Sequence, residues 1–267
     1  VKQELSNAQV TFIVNQYKKG KSRRTITRLF NRKFFTNITE YSMRRKIERH
    51  ARHIEKDVPK VLYVDIETKP LKAWVWGTFD QNIPLEMLIE DWSVLSWSAK
   101  WANSPESEVI YKDNRKKKGS ALVNDKELLK PLWKLMDEAD IIIGQNSDRF
   151  DLPKLNARFI HHKMGCPSEF KSIDTYKMAK RFGFTSHKLA YMTAKLNTKY
   201  KKQDHSDFKG FKLWDECIKG NLKAWKSMET YNQYDVLSLE ELFLQLADFI
   251  KNENVTSALR AYDIIKK

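Results

Sequence analysis

Four consecutive apolar residues, Val61-Leu62-Tyr63-Val64, run directly into Asp65-Ile66-Glu67. A short apolar run of this kind after Pro59 reads as a buried strand. Side chains alternate along a strand, so Asp65 and Glu67 fall on one face at its end. Two like charges held that close are costly unless a proton or a cation offsets them. A hard divalent cation such as magnesium or manganese, whose ligands are oxygens, meets that need. The same pattern also fits a strand that simply emerges into solvent there.

Two further acidic positions recur downstream. Gly144-Gln145-Asn146-Ser147-Asp148-Arg149-Phe150-Asp151-Leu152-Pro153 follows the apolar triplet Ile141-Ile142-Ile143. That order predicts a buried strand, a loop and then a helix beginning near Asp151. An N-cap role by itself would account for Asp151, since Asp is a favoured cap and Pro is tolerated in a first helical turn; capping and metal binding need not exclude each other. Tyr231-Asn232-Gln233-Tyr234-Asp235 lies in a predicted helix, where residues four apart share a face. Tyr231 and Asp235 would then point to one place, with Val236, Leu239, Leu242 and Phe243 turned to the core. An ordinary surface pair would show the same spacing.

The rest of the chain supplies a scaffold. Strands are predicted at residues 73–79, 94–101 and 109–112, and helices at 125–138, 152–163, 174–181, 187–196 and 221–250. Strands first and alternating helices afterwards indicate an α/β domain with a mixed sheet. With 41% hydrophobic residues, 8 Trp, 10 Tyr and 14 Phe, a sizeable core is available.

Residues 1–60 differ in character. They hold 16 Lys/Arg and 5 Asp/Glu out of 49 and 34 in the whole chain, so most of the net charge of +15 sits there. Helical patterns at 6–19, 23–33 and 39–54 are capped by Ser6 or Asn7, Ser22 and Thr39, and Gly20 ends the first. The third helix carries Arg44, Arg45, Arg49 and Arg52 on its outer face. Three short helices with a basic third one resemble a helix-turn-helix domain, which implies nucleic-acid contacts by those arginines. A basic bundle packed on the other domain is the alternative. The domain division expected is 1–57 and 60–267.

The order D-x-E, N-x-x-x-F-D, Y-x-x-x-D resembles the DEDD exonuclease superfamily in its tyrosine subclass. That group has a ribonuclease H-like fold and includes the proofreading domain of family B DNA polymerases. Ala139-Asp140-Ile141-Ile142-Ile143-Gly144 and Ile173-Asp174-Thr175 add to the likeness, which runs from about residue 60 to residue 250. One departure is Gly144-Gln145-Asn146, where such proteins often have Gly-His-Asn. The resemblance implies that Asp65, Glu67, Asp151 and Asp235 hold two magnesium or manganese ions. It implies that Tyr231 orients the attacking water, and that nucleoside 5′-monophosphates leave from a 3′ end. Asn146 and Phe150 become candidates for contacting the terminal nucleotide. DNA is expected ahead of RNA as substrate. A DNA-binding protein that keeps the fold only as a platform, or an RNA-trimming exoribonuclease, are the alternatives.

Other patterns argue by exclusion. Cys166 and Cys217 form no CxxC, and the adjacent His161 and His162 lack nearby cysteines, so no zinc site is indicated. No phosphate-binding G-x-x-x-x-G-K-[ST] loop occurs. The first residues, VKQELSNAQV, lack a signal-peptide run, and no apolar stretch approaches the ~18 residues of a membrane span. The expected location is the cytoplasm, or a host cytoplasm for a viral chain, with no membrane partner. The chain ends soon after the third motif, so no polymerase domain is expected behind it.

Overall fold

A computed structural model describes residues 5–18, 21–51, 58–200 and 208–262. Three helices come first: α1 (Asn7–Lys18), α2 (Arg23–Phe34) and α3 (Glu40–Ala51). Ser6 and Gln9 cap α1 reciprocally, each backbone N–H donating to the other's side chain at 3.0 and 3.3 Å. The hydroxyls of Ser22 and Thr39 cap α2 and α3 by accepting from Thr25 N and Ser42 N, both at 3.2 Å. The stripes converge on a small core of Ile13, Ile26, Phe30, Met43 and Ile47. Gly20, Arg52 and the expected end of the third helix, residues 52–54, lie outside the described residues.

The three-helix unit rests on the α/β part through α2. Ser168 Oγ donates to Ser22 Oγ at 3.0 Å, and Arg23 meets Glu169 at 2.9 Å. The Arg24 guanidinium lies 4.5 Å over the Trp133 ring.

The α/β part is a five-stranded mixed sheet. In chain order its elements are β1 (Val61–Lys69), a small hairpin of β2 (Lys72–Ala73) and β3 (Leu88–Glu90), β4 (Ser93–Trp101), β5 (Ile110–Asp113), α4 (Lys126–Glu138) and β6 (Ile141–Gly144). Then follow α5 (Asp151–His161), β7 (Lys171–Asp174), α6 (Thr175–Ala179), α7 (Leu189–Lys195), α8 (Lys212–Lys219), α9 (Leu222–Ala247) and α10 (Glu253–Leu259). The sheet order is β5-β4-β1-β6-β7. Central β1 runs antiparallel to β4 and parallel to β6, which is parallel to β7.

Alternation along β1 divides the core. Leu62, Val64 and Ile66 pack with Leu129, Leu132 and Met136 of α4 and Leu155 and Phe159 of α5. Val61 and Tyr63 pack on the opposite face with Val236, Leu239, Leu242 and Phe243 of α9. Asp65 and Glu67, in the same phase as Val61 and Tyr63, are therefore carried to the α9 face. Among the described residues no helix is long and apolar enough to cross a membrane.

Four features differ from the sequence expectation. The strand expected at 73–79 is paired only at Lys72–Ala73; beyond it Trp74, Trp76 and Phe79 are exposed. Aromatic residues favour strands because they fit a pleated, half-buried surface, and here no sheet receives them. The strand β7 and the helices α8 and α10 were not anticipated. Helix α8 did carry a signal: Leu213 and Cys217 are buried four apart, and Gly220, with φ of 85°, closes the helix in the left-handed conformation.

Candidate active site

The carboxylates meet where β1 outruns its parallel neighbour. Pairing of β1 with β6 ends at Tyr63 and Ile143, and the chain turns away after Gly144. That turn needs glycine: a Cβ at residue 144 would sit 2.4 Å from Ser147 Cβ. Asn146 takes φ of 57°, and its N–H donates to Asp174 Oδ1 at 2.8 Å. Asp174 also caps α6 through Tyr176 N at 2.9 Å, so one buried carboxylate braces the loop between β6 and α5. Gln145, at the position of the expected histidine, is spent inside the fold. It accepts from Thr175 Oγ1 and donates to His187 O at 2.9 Å.

Beyond Tyr63, the N–H of Ile66 has no strand partner on the β6 side, and Asp151 Oδ1 accepts from it at 3.1 Å. Asp151 is the first residue of α5, not its N-cap; Phe150 holds that position without a side-chain bond. Farther along, Arg158 of α5 grips buried Asp125 at 2.7–3.1 Å, and Asp125 accepts from Val94 N of β4 at 2.8 Å. The helix is thus pinned to the sheet at both its start and its third turn. His162 closes on Asp125 at 2.6 Å, which accounts for it without a metal.

Oxygens of Asp65, Glu67 and Asp235 lie within 4.8 Å of one another. Asp235 reaches the pair from α9, with Tyr231 one turn earlier on the same face. Two residues that the sequence reading passed over hold the strand carboxylates. Asn232 Nδ2 donates to Asp65 Oδ2 at 2.5 Å, and Trp214 Nε1 of α8 donates to Glu67 Oε2 at 3.1 Å. Trp214 also packs edge-on to the Tyr231 ring, centroids 6.0 Å apart. Asn232 carried a signal, being a polar residue on the inward side of a long apolar helix. Trp214 lies in a helix that had not been anticipated.

Burial lifts the Asp151 carboxyl to about 7, with Asp174 and Asp235 adding to the rise and the Ile66 N–H opposing it. Burial pushes the Tyr231 phenol far above its usual range, and Asp235, Glu67 and Asp65 all push the same way. Tyr231 is therefore a neutral hydroxyl at physiological pH, hydrogen-bonded to Asp235.

The donor set is all hard oxygen, clustered and partly buried, which fits divalent cations of the magnesium class. Asp151 lies outside the tight group of three yet feels Asp235 electrostatically. Phe150, 38% exposed, stands beside Asp151, and Lys154 Nζ lies 5.1 Å over its ring and 3.8 Å over that of Trp92. The arginines Arg44, Arg45 and Arg49 are exposed on α3, apart from this cluster, and Arg44 is paired with Glu48 at 2.9 Å.

Comparison with known proteins gives two results. A solved family B DNA polymerase from the hyperthermophilic archaeon Pyrobaculum calidifontis superimposes with a TM-score of 0.46 at 16% identity. The match covers 76% of this chain and 27% of the polymerase chain, so this protein spans about a quarter of that relative's length. A search of curated proteins finds no match. Residues 101–247 match the RNase H superfamily, a stretch that holds Asp151, Tyr231 and Asp235 and begins after Asp65 and Glu67. That stretch is more than half of the 267 residues, and the mixed sheet with helices on both faces agrees with it: the chain belongs to the RNase H superfamily.

Proposed function

We propose that this protein is a metal-dependent 3′→5′ exonuclease that hydrolyses DNA to nucleoside 5′-monophosphates. The observation that carries the reading is the convergence of Asp65, Glu67 and Asp235 oxygens within 4.8 Å at the end of β1. Residues far apart in sequence meet there at a cost in repulsion that a structural site would have no reason to keep. Asp65, Glu67, Asp151 and Asp235 would hold two Mg2+ or Mn2+ ions. Such ions supply Lewis acidity, activating a water near neutral pH and offsetting charge that builds on the phosphate.

The protein's own groups do the positioning. Asn232 and Trp214 aim the carboxylates of Asp65 and Glu67 before any cation arrives. Tyr231, kept neutral by its surroundings, orients the attacking water as a hydrogen-bonding hydroxyl and does not act as a base at neutral pH. Phe150, next to Asp151, and Asn146, in the loop before it, would contact the terminal nucleotide. The three helices within residues 1–57, packed on the α/β part through α2, would bind nucleic acid, with Arg45 and Arg49 of α3 available to phosphates and Arg44 engaged by Glu48.

A 5′-labelled oligodeoxynucleotide tests the reading directly. With Mg2+ or Mn2+ a ladder shortening from the 3′ end is expected, and with a chelator none. Asp65→Ala and Asp235→Ala should each abolish the ladder while leaving the circular dichroism spectrum intact. Unchanged cleavage in either variant overturns the assignment. An oligoribonucleotide cleaved faster than DNA would move the substrate to RNA, and binding without any cleavage would leave a DNA-binding platform.

A further inference from the structure

The carboxylate strand does not end in open solvent. Two residues beyond Glu67, at Lys69, the chain leaves the sheet into the β2–β3 hairpin, and it returns at Glu90 to enter β4. At roughly 3.4 Å per strand residue, the base of that hairpin stands about 7 Å from Glu67. The base is pegged. Lys69, only 3% exposed, pairs with Glu90 at 2.7 Å, Ser120 Oγ donates to Glu90 at 3.2 Å, and Trp74 N donates to Met87 O at 3.0 Å.

What the pegged hairpin presents is aromatic. Trp74, Trp76 and Phe79 are 71%, 93% and 85% exposed, and Asp80 is the sole charged residue between 73 and 85. Rings of this size are ordinarily buried, and a group of them in water marks a contact surface. On another side of the cluster, Phe211 is exposed one turn before Trp214, the residue that donates to Glu67. Exposed cations accompany both flanks: Lys72 on the hairpin, its Nζ 3.7 Å from Glu90, Lys116 and Lys118 in the loop before Ser120, and Lys209 and Lys212 beside Phe211.

Aromatic faces next to lysines match a polymer that alternates flat apolar bases with phosphates. Only an unpaired strand offers those faces, because in a duplex the bases already stack on one another. We propose that the hairpin over residues 70–90 is the single-strand platform of this enzyme: Trp74, Trp76 and Phe79 stack on bases and the neighbouring lysines hold the phosphates. The proposal rests on the carboxylate cluster being a nuclease site, since that places a nucleic-acid strand beside the hairpin. Stacking is indifferent to base identity, so the platform gives binding without sequence preference.

The test separates binding from hydrolysis. In a chelator, a single-stranded oligodeoxynucleotide should quench tryptophan fluorescence. All eight Trp lie at or beyond Trp74, so none belongs to residues 1–57. The triple variant Trp74→Ala, Trp76→Ala, Phe79→Ala should bind the single strand roughly tenfold more weakly or worse, by anisotropy, and lose most of the quench. Duplex binding should not change. With Mg2+, KM for the single strand should rise while kcat stays within about threefold, as for lost uniform binding. Thermal melts report whether the variant folds; if it does not, Trp76→Phe should keep the affinity and Trp76→Ala lose it. Unchanged single-strand affinity in a folded variant overturns the proposal. So does a dimer, seen by sedimentation, that the variant dissociates without altering strand binding, since the rings would then be a contact between copies. Tight, ring-dependent strand binding with no hydrolysis in Mg2+ would sink the nuclease reading and leave the platform standing.

Discussion

Replacing Asp151 by asparagine removes a charge while keeping shape, and the stability it gains over wild type should shrink when metal binds. The carboxyl is 4% exposed and lifted from 3.8 to about 7, chiefly by burial. The native state therefore holds this proton more tightly than the unfolded chain does. Below about pH 4 both states are protonated and the group carries no penalty. Between about pH 4 and 7 the native state is destabilised as pH rises, and above 7 the full cost of a buried, repelled carboxylate applies. At 1.36 kcal/mol for each tenfold change in proton affinity, that cost is about 4 kcal/mol at most. Relaxation around the site brings the expectation to about 2–4 kcal/mol. The side-chain amide oxygen that the substitution introduces can still accept from Ile66 N, so the bond at 3.1 Å survives. Metal-free at pH 8, the Asp151→Asn protein should melt about 5–10 °C above wild type, by calorimetry. At pH 4 the two should melt together. Mg2+ at a hundredfold excess over its Kd should stabilise the wild-type protein by about 2.7 kcal/mol and the variant, which keeps Asp65, Glu67 and Asp235, by less. The Asp174 carboxyl, also raised by burial, titrates in both proteins. A variant that melts below wild type without metal at pH 8, or a difference that ignores pH, would refute the electrostatic account of this site.

The remaining expectations concern neighbouring groups. Tyr231→Phe should lower kcat by about 10²-fold with little change in KM, read by steady-state release of mononucleotide. Trp214→Phe removes the N–H that reaches Glu67 at 3.1 Å, and the Mn2+ concentration for half-maximal activity should rise about tenfold. Asn232→Leu should do the same through Asp65 and also leave Ser96 Oγ without its partner at 3.3 Å, costing about 1–3 kcal/mol in a denaturant titration. Gly144→Ala places a methyl 2.4 Å from Ser147 Cβ and should destabilise the loop by about 1–3 kcal/mol, with activity falling because Asp151 follows that loop.

How much of this site could be read in advance depends on whether a residue's partner is local. Asp65 and Glu67 share a face by alternation alone, and Tyr231 and Asp235 by helical spacing, so both pairs were legible from the chain. The face they share is not local information. It follows from Val61 and Tyr63 packing on α9 while Leu62, Val64 and Ile66 pack on α4 and α5. Asp151 shows the difference most sharply. Sequence alone explained Asp151 as an N-cap and left room for a ligand role beside it, because both place Asp at a helix start. That it is not the N-cap, and accepts from Ile66 N instead, depends on β6 ending at Gly144, which leaves an N–H that only a long-range partner can satisfy. Asn232 and Trp214 act 167 and 147 residues from the carboxylates they hold, and no periodicity reveals such a bond. The hairpin failed for the opposite reason. Residues 74–79 have strong strand propensity, and propensity counts for nothing where no second surface covers the side chains. The same rings that misdirect a strand assignment are thereby left exposed, on a hairpin whose base lies two residues beyond Glu67, and the proposed occupant, an unpaired strand, would meet both the rings and the lysines.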